Sequence, residues 1–412
     1  MIRFKLVVGL FGLLWLAVSI AHAQQSDGSG SGQDVSKLRL KLPFVDRTQF
    51  VDRGAIAYTI PPVLNDGIPV ADARDFGDLQ NILELLNQTE RKNQDFRIGK
   101  GKPHKRGGRK PYDPKIVGCI DSLLVAKNGK LVLEEYFGDA RTDKPHYQMS
   151  ITKSILAYAI GKAIEQRKIK SVNDRLVDYL PGLERGNLPK GVEKLTLHDL
   201  LTMKSGLRVD TKDSRQSSER SIHAEQILSK TKPIPADRSF KYDGVNCELL
   251  VHVLYNATGK TLGEFAGEHL FGPMGITDFS FGKSSCGLDK GSAGMRLRSR
   301  DMLKIGLLTS AGGKWGGKQV LSADWIDRAT AVHVNQDKPT QYGYYWWSHE
   351  VPWGDEVVRV RSCRGAGGQF IFVVPEKDLV AVFTSYYSDN RPIQHFDRLI
   401  LPVFAADAKR VK

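Results

Sequence analysis

Cysteine is scarce in this chain, with 4 in 412 residues, and none of them forms a C-x-x-C pair. No H-E-x-x-H or clustered histidine pattern is present either. A zinc ribbon, a thioredoxin-like dithiol and a zincin site are therefore excluded, and neither a metal nor another cofactor is expected. No G-x-S-x-G elbow precedes a suitable helix, which argues against a Ser-His-Asp hydrolase. Beyond residue 23 no apolar run is long enough to span a membrane.

The first residues do carry a targeting pattern. Met1 to Lys5 is basic, Leu6 to Ile20 is largely apolar, and Ala21-His-Ala23 is a small-x-small cleavage site before Gln24. Residues 1–23 are read as a signal peptide and the mature protein as secreted or periplasmic. An uncleaved anchor is the alternative, but the apolar run is short for a span, and no cysteine lies near the site to carry a lipid. Export makes Cys119, Cys247, Cys286 and Cys363 candidate disulfide partners, with three full pairings that sequence does not separate.

A hydrophobic content of 41% with 9% aromatics suits a folded globular protein of one large or two modest domains. The formal net charge of +14 is uneven. Residues 91–110 hold nine Lys or Arg against one acid, Asp95, a local excess of +8. With Phe96 its one Phe, Tyr or Trp, this segment reads as a solvated Gly-rich linker, with a weak contact to an anionic surface as the sharper alternative; nucleic-acid binding is not expected.

Gln24 to Gln33 is a Ser/Gly/Asp-rich tether, residues 38–70 are short extended pieces, and Asp78 to Leu86 has helical apolar spacing. Residues 24–110 thus form a tether, an N-terminal extension and a basic linker ahead of a main domain over 111–412. In that domain Cys119 to Phe137 is two apolar strands joined by Asn128-Gly129, a strong hairpin signal. Residues 154–290 are mainly helical patterns, and a further helix is predicted over Ser299 to Ser310. Gly368 to Ser385 is a second hairpin around Pro375-Glu-Lys-Asp378. The fold class is α+β: an antiparallel sheet from N- and C-terminal strands, flanked by helices, with a mainly helical insertion at about 154–290.

Ser150 and Lys153 dominate the chemistry. Apolar residues at 151, 155, 156, 159, 160, 163 and 164 predict an amphipathic helix, on which residues three apart are neighbours. Ser150 then sits where unpaired N–H groups and the helix dipole favour developing negative charge. Ser-x-x-Lys recurs at Ser229/Lys232 and Ser280/Lys283, but Pro233 disfavours a helix at the first and the second lacks apolar periodicity. The plain alternative for Ser150 is a first-turn serine beside a solvated lysine.

The Ser150-x-x-Lys153 helix between a leading hairpin and a helical insert resembles the serine β-lactamase and penicillin-binding-protein superfamily. The likeness is to class C β-lactamases, related esterases and 6-aminohexanoate-oligomer hydrolases, over residues 112–405. Leu195 to Leu207, Phe271 to Ile276 and Gly294 to Met302 are also similar to family segments. The resemblance implies a catalytic tyrosine, here Tyr242, as a buried phenol beside the lysine. The usual Tyr-x-Asn or Tyr-x-Ser reads Tyr242-Asp243-Gly244, which leaves Asn246 to replace the missing side chain. Lys204-Ser205-Gly206 mimics the family's third motif but lies in the helical insert, and is read as a decoy. The late strand carries Arg364-Gly365-Ala366-Gly367-Gly368 instead, where the Ala366 N–H would join that of Ser150 as an oxyanion hole. Those glycines otherwise serve close packing.

The resemblance implies a serine hydrolase that forms an acyl-enzyme on small-molecule ester, amide or peptide substrates. Lys153 and Tyr242 would move the serine proton, and Asn246, Arg364 and Gly367 would support the substrate. Free lysine and tyrosine titrate near ~10.4 and ~10, so one of them must be depressed to act as a base near neutrality. The alternatives are a β-lactamase or D,D-peptidase on the same machinery, or a non-catalytic penicillin-binding-like protein.

Overall fold

The computed structural model describes residues 55–97, 119–137, 140–209, 224–335, 339–386 and 391–405. The expected signal peptide and tether lie outside the described residues, as does the basic segment from residue 98 onward.

Helix α1 spans Gln80–Arg97 and carries on past the expected end at Leu86 into the basic segment. Strands β1 (Cys119–Lys127) and β2 (Lys130–Tyr136) form the first hairpin. Asn128 (φ 51°) and Gly129 (φ 73°) are both left-handed at its tip, as a type I′ turn requires. A short β3 (His146–Tyr147) leads into α2 (Ile151–Glu165). The helical region follows with α3 (Leu197–Leu201), α4 (Ala224–Lys230), α5 (Val245–Thr258) and α6 (Leu262–Ala266). β4 (Arg296–Leu297) pairs with β3 and precedes α7 (Ser299–Ser310). A small hairpin of β5 (Lys314–Trp315) and β6 (Lys318–Gln319) and then α8 (Ala323–Thr330) lead back to the sheet. Its remaining strands are β7 (Thr340–Tyr342), β8 (Trp347–Trp353), β9 (Glu356–Gly365), β10 (Gln369–Val374) and β11 (Leu379–Tyr386). Helices α9 (Arg391–His395) and α10 (Leu401–Phe404) end the described chain.

The seven-stranded sheet has the order β2-β1-β11-β10-β9-β8-β7, so the leading hairpin joins the late strands through β1 and β11. Their antiparallel register sets Leu124 opposite Val382. Strand alternation gives the sheet two buried faces. The inner face, with Leu124, Ile371, Val373, Val380 and Val382, packs on α2 and α7, and α5 packs on α2. The outer face, with Leu123, Val125, Phe370, Phe372 and Phe383, is covered by Ile56, Ile82 and Leu86 on one side and by Phe396 and Phe404 on the other. Residues 56–86, read from sequence as an extension, are thus a layer of this core, each large apolar side chain contributing about 1.5–3 kcal/mol by burial.

Two expectations are corrected. Helix α2 is not amphipathic: sandwiched between the sheet and the helical region, it is buried on nearly every side, including Thr152, Lys153 and Ser154. Nor do the described cysteines pair, since Cys247, Cys286 and Cys363 are free thiols. Cys247 and Cys363 each sit within the inner core, and burial pushes the Cys247 thiol up to about 12.

Candidate active site

Ser150 stands at the junction of β3 and α2, immediately after a backbone kink. Met149 is left-handed at φ 49°, a conformation that costs a non-glycine residue roughly 1–2 kcal/mol. Three contacts hold it there: the Gln148 N–H donates to the Met295 carbonyl at 2.8 Å, the Thr152 hydroxyl donates to the Met149 carbonyl at 2.7 Å, and the Met295 N–H donates to the Thr152 hydroxyl at 3.2 Å. Ser150 has φ −74° and ψ −4°, and its side chain makes no capping bond. Lys153, only 4% exposed, donates from Nζ to Ser150 Oγ at 2.9 Å and to the Ser292 carbonyl at 2.5 Å. The plain reading of a capping serine and a solvated lysine does not describe this pair.

Tyr242 is brought to the same lysine, but by its ring: Nζ lies 5.0 Å from the ring centroid. At 41% exposed it is not the buried phenol expected from sequence. It sits in an irregular segment ahead of α5, and Trp347 (5.5 Å between centroids) and Tyr342 (6.1 Å) fill the space behind the ring. Asn246 is buried but turned away, donating to the Asp243 carbonyl at 3.0 Å and to Met203 Sδ at 3.3 Å. None of its hydrogen bonds reaches Ser150 or Lys153.

The end of β9 closes the other side. A Cβ on Gly365 would stand 2.5 Å from the Gln148 carbonyl oxygen, so only glycine lets this strand abut the approach to Ser150. Ala366, exposed, and Gly367, left-handed at φ 87°, form the turn that follows. The two other Ser-x-x-Lys copies build nothing similar. Ser229 ends the short α4 with its hydroxyl on the Gln226 carbonyl, and Lys283 pairs with Asp289 at 2.8 Å.

A family model described as Beta-lactamase matches residues 121–398. The chain belongs to the beta-lactamase family. It is 22% identical over 295 residues to the 6-aminohexanoate-dimer hydrolase of Paenarthrobacter ureafaciens, covering 66% of this chain and 74% of that one. Among solved structures it resembles the octameric penicillin-binding protein homologue from Pyrococcus abyssi (TM-score 0.56, 17% identity, 71% of this chain and 75% of that one). It also resembles EstCE1, a hydrolase with promiscuous acyltransferase activity (TM-score 0.57, 15% identity, 80% and 98%).

Within this member of the beta-lactamase family, strand alternation turns Arg364 and its neighbour on β9, Arg361, to opposite faces of the sheet. Arg364 lies opposite Phe370, on the outer face, whereas Arg361 lies opposite Val373 on the inner face and reaches Glu376 at 3.2 Å, at the far end of β10. Arg364 Nε donates to Ser362 Oγ at 2.9 Å, Nη2 meets His349 Nδ1 at 3.3 Å, and the guanidinium lies 5.4 Å from the Trp347 ring centroid. Burial lowers its pKa to about 10, against the pull of Asp397, which holds His349 Nε2 at 3.0 Å. Arg364 therefore backs the aromatic wall of Trp347 and Tyr242.

Sequence reasoning missed Ser292, Glu248 and Trp347. Ser292 accepts from Lys153 through its backbone carbonyl, for which no side-chain signal exists. Glu248 reads on α5 as an ordinary polar residue, and only the fold brings it to the Ser292 N–H at 3.1 Å.

Proposed function

We propose that the chain is a serine hydrolase that cleaves ester or amide bonds through an acyl-enzyme. The observation that carries this reading is the 2.9 Å contact of a buried Lys153 Nζ with Ser150 Oγ at the first turn of α2. In its neutral form that amine accepts the serine proton as Oγ attacks the carbonyl. The base is Lys153 rather than Tyr242, because Tyr242 presents its ring to Nζ. The exposed Tyr242 hydroxyl gives its own proton to the leaving group and recovers one from the Lys153 ammonium through water, which restores both groups. The N–H groups of Ser150 and Ala366 receive the tetrahedral oxyanion, and water then releases the acid. Its test is intact mass after fluorophosphonate labelling: one adduct is expected, absent in Ser150→Ala, and an adduct on Ser229 or Ser280, or no labelling at all, would reject it.

The substrate reading is a small ester or linear amide held by apolar fit. The late strand offers Gly365-Ala366-Gly367 in place of a lysine and hydroxyl for a carboxylate, and Arg364 is engaged with Ser362, His349 and Trp347. Short-chain p-nitrophenyl esters should turn over and a chromogenic cephalosporin should not. Efficient cephalosporin hydrolysis lost in Arg364→Ala would move the protein to the β-lactamase side of its family.

We further propose residues 1–23 as a cleaved export signal, 24–110 as tether, extension and linker, and 111–412 as the catalytic domain, active outside the cytoplasm. N-terminal sequencing of exported protein should begin at Gln24; a retained Met1 would replace the signal with an anchor.

A further inference from the structure

We propose that Glu248 is a positioning residue for Lys153: its carboxylate clamps the Ser292 segment whose carbonyl receives the lysine. The role attributed to Lys153 rests on the hydrolase reading; the clamp itself rests on geometry.

The contacts run through one short segment. Glu248, in the first turn of α5, accepts from the Ser292 N–H at 3.1 Å and the Gly291 N–H at 3.4 Å, and the Ser292 side chain also hydrogen-bonds to it. The Ser292 carbonyl in turn takes the second hydrogen bond of Lys153. Packing leaves this segment no room to slide. A Cβ on Gly291 would meet Val251 Cγ2 at 2.6 Å, the Cys247 carbonyl oxygen at 2.8 Å and Leu156 Cδ2 at 3.0 Å, so the chain is wedged between α2 and α5. A Cβ on Gly244 would likewise stand 3.0 Å from Ser292 Cβ.

The charge has a direction as well. Lys153 faces Glu248 and Cys247 from α5, Tyr147 from β3 and the Tyr242 ring from the segment ahead of α5. Burial holds the Tyr147 phenol and the Cys247 thiol up, so both stay neutral near pH 7. Asp243, further along, is paired with Lys241 at 3.0 Å. Burial also raises the Glu248 carboxyl, opposed by the bonds from Ser292 and Gly291 and by the charge of Lys153. The interaction between the two groups is mutual, so removing the Glu248 carboxylate should change the pH dependence of ester hydrolysis.

Three variants separate charge from reach. Glu248→Gln keeps an acceptor and removes the charge; the acid limb of kcat/KM for a p-nitrophenyl ester should move to lower pH by about 1 unit. Glu248→Asp keeps the charge and shortens the clamp; kcat should fall by up to about 10²-fold with KM and the acid limb unmoved. Glu248→Ala loses both and should combine the two effects. A helix-stabilising acid with no link to the lysine would lower the melting temperature and leave the pH profile superimposed on wild type, which would overturn the proposal. A second readout does not depend on activity: NMR titration of ¹³Cε-labelled lysine in Ser150→Ala, with Lys153 assigned by its absence in Lys153→Arg. Its midpoint should drop when Glu248→Gln is added, and an unchanged midpoint rejects the clamp even if the fluorophosphonate fails to label the wild type. Should Glu248→Gln not fold, Glu248→Asp decides through its kcat alone.

Discussion

Among the described residues two lysines are buried under the inner face of the sheet, and their surroundings differ in one respect. Lys153 on α2 is 4% exposed and Lys304 on α7 is 1% exposed. Each donates to a backbone carbonyl, Ser292 at 2.5 Å or Met274 at 3.1 Å, and each lies over an aromatic ring, Tyr242 at 5.0 Å or Trp315 at 6.0 Å. Lys304 then meets a buried carboxylate, Asp301, at 3.5 Å, which also accepts from Arg298 at 2.8 Å. Lys153 instead meets a hydroxyl, with its nearest clamp acting through a peptide. A carboxylate gives Lys304 a counter-charge that secures the fold, whereas Lys153 is aimed at a hydroxyl.

That contrast can be broken from both sides. The largest effect is expected from Lys153→Met: ester hydrolysis should fall about 10⁴-fold, while the melting temperature holds or rises because a desolvated charge has been replaced by an apolar side chain of similar length. Steady-state rates with matched thermal melts check both halves, and near-normal turnover would remove the lysine from the chemistry. Next comes Lys304→Met, expected to cost about 3 kcal/mol by leaving Asp301 short of a partner, with kcat unchanged; denaturant unfolding measures it, and a rate loss without a stability loss would erase the distinction between the lysines. The smallest is Tyr242→Phe. The ring contact with Nζ survives and only the hydroxyl goes, so a fall of about 10²-fold is expected, far from additive with Lys153→Met. A double mutant that multiplied the two losses would show that the residues act apart.

What could be read in the sequence was whatever is written locally. Asn128-Gly129 sets a turn by its own dihedrals, Ser299 to Ser310 marks a helix by its period, and Ser150 meets Lys153 because three residues along a helix is one turn. What escaped depends on distant partners. Tyr242 is exposed because Trp347 and Tyr342 occupy the space behind it. Arg364 points to the outer face because of the register of β9 on β10, which its own neighbours in sequence do not encode. Helix α2 looked amphipathic because Lys153, Thr152 and Ser154 are polar, although all three are buried for the contacts they make. Residues 56–86 looked like an extension because the early part offers only single apolar residues among Pro and Gly, and the helical spacing at 78–86 does not say what the helix packs on, yet they cover a face of the sheet.

The pairing of β1 with β11 also fixes an order of events. Residue 124 finds its partner only when residue 382 has been made, so this ladder cannot form on a growing chain until the late strand has left the ribosome. Such long-range closure slows folding and leaves apolar strands unpaired in the interval. Lys153 takes its carbonyl from residue 292 and Gly365 abuts the approach to Ser150, so a chain cut short before these residues lacks the assembled site.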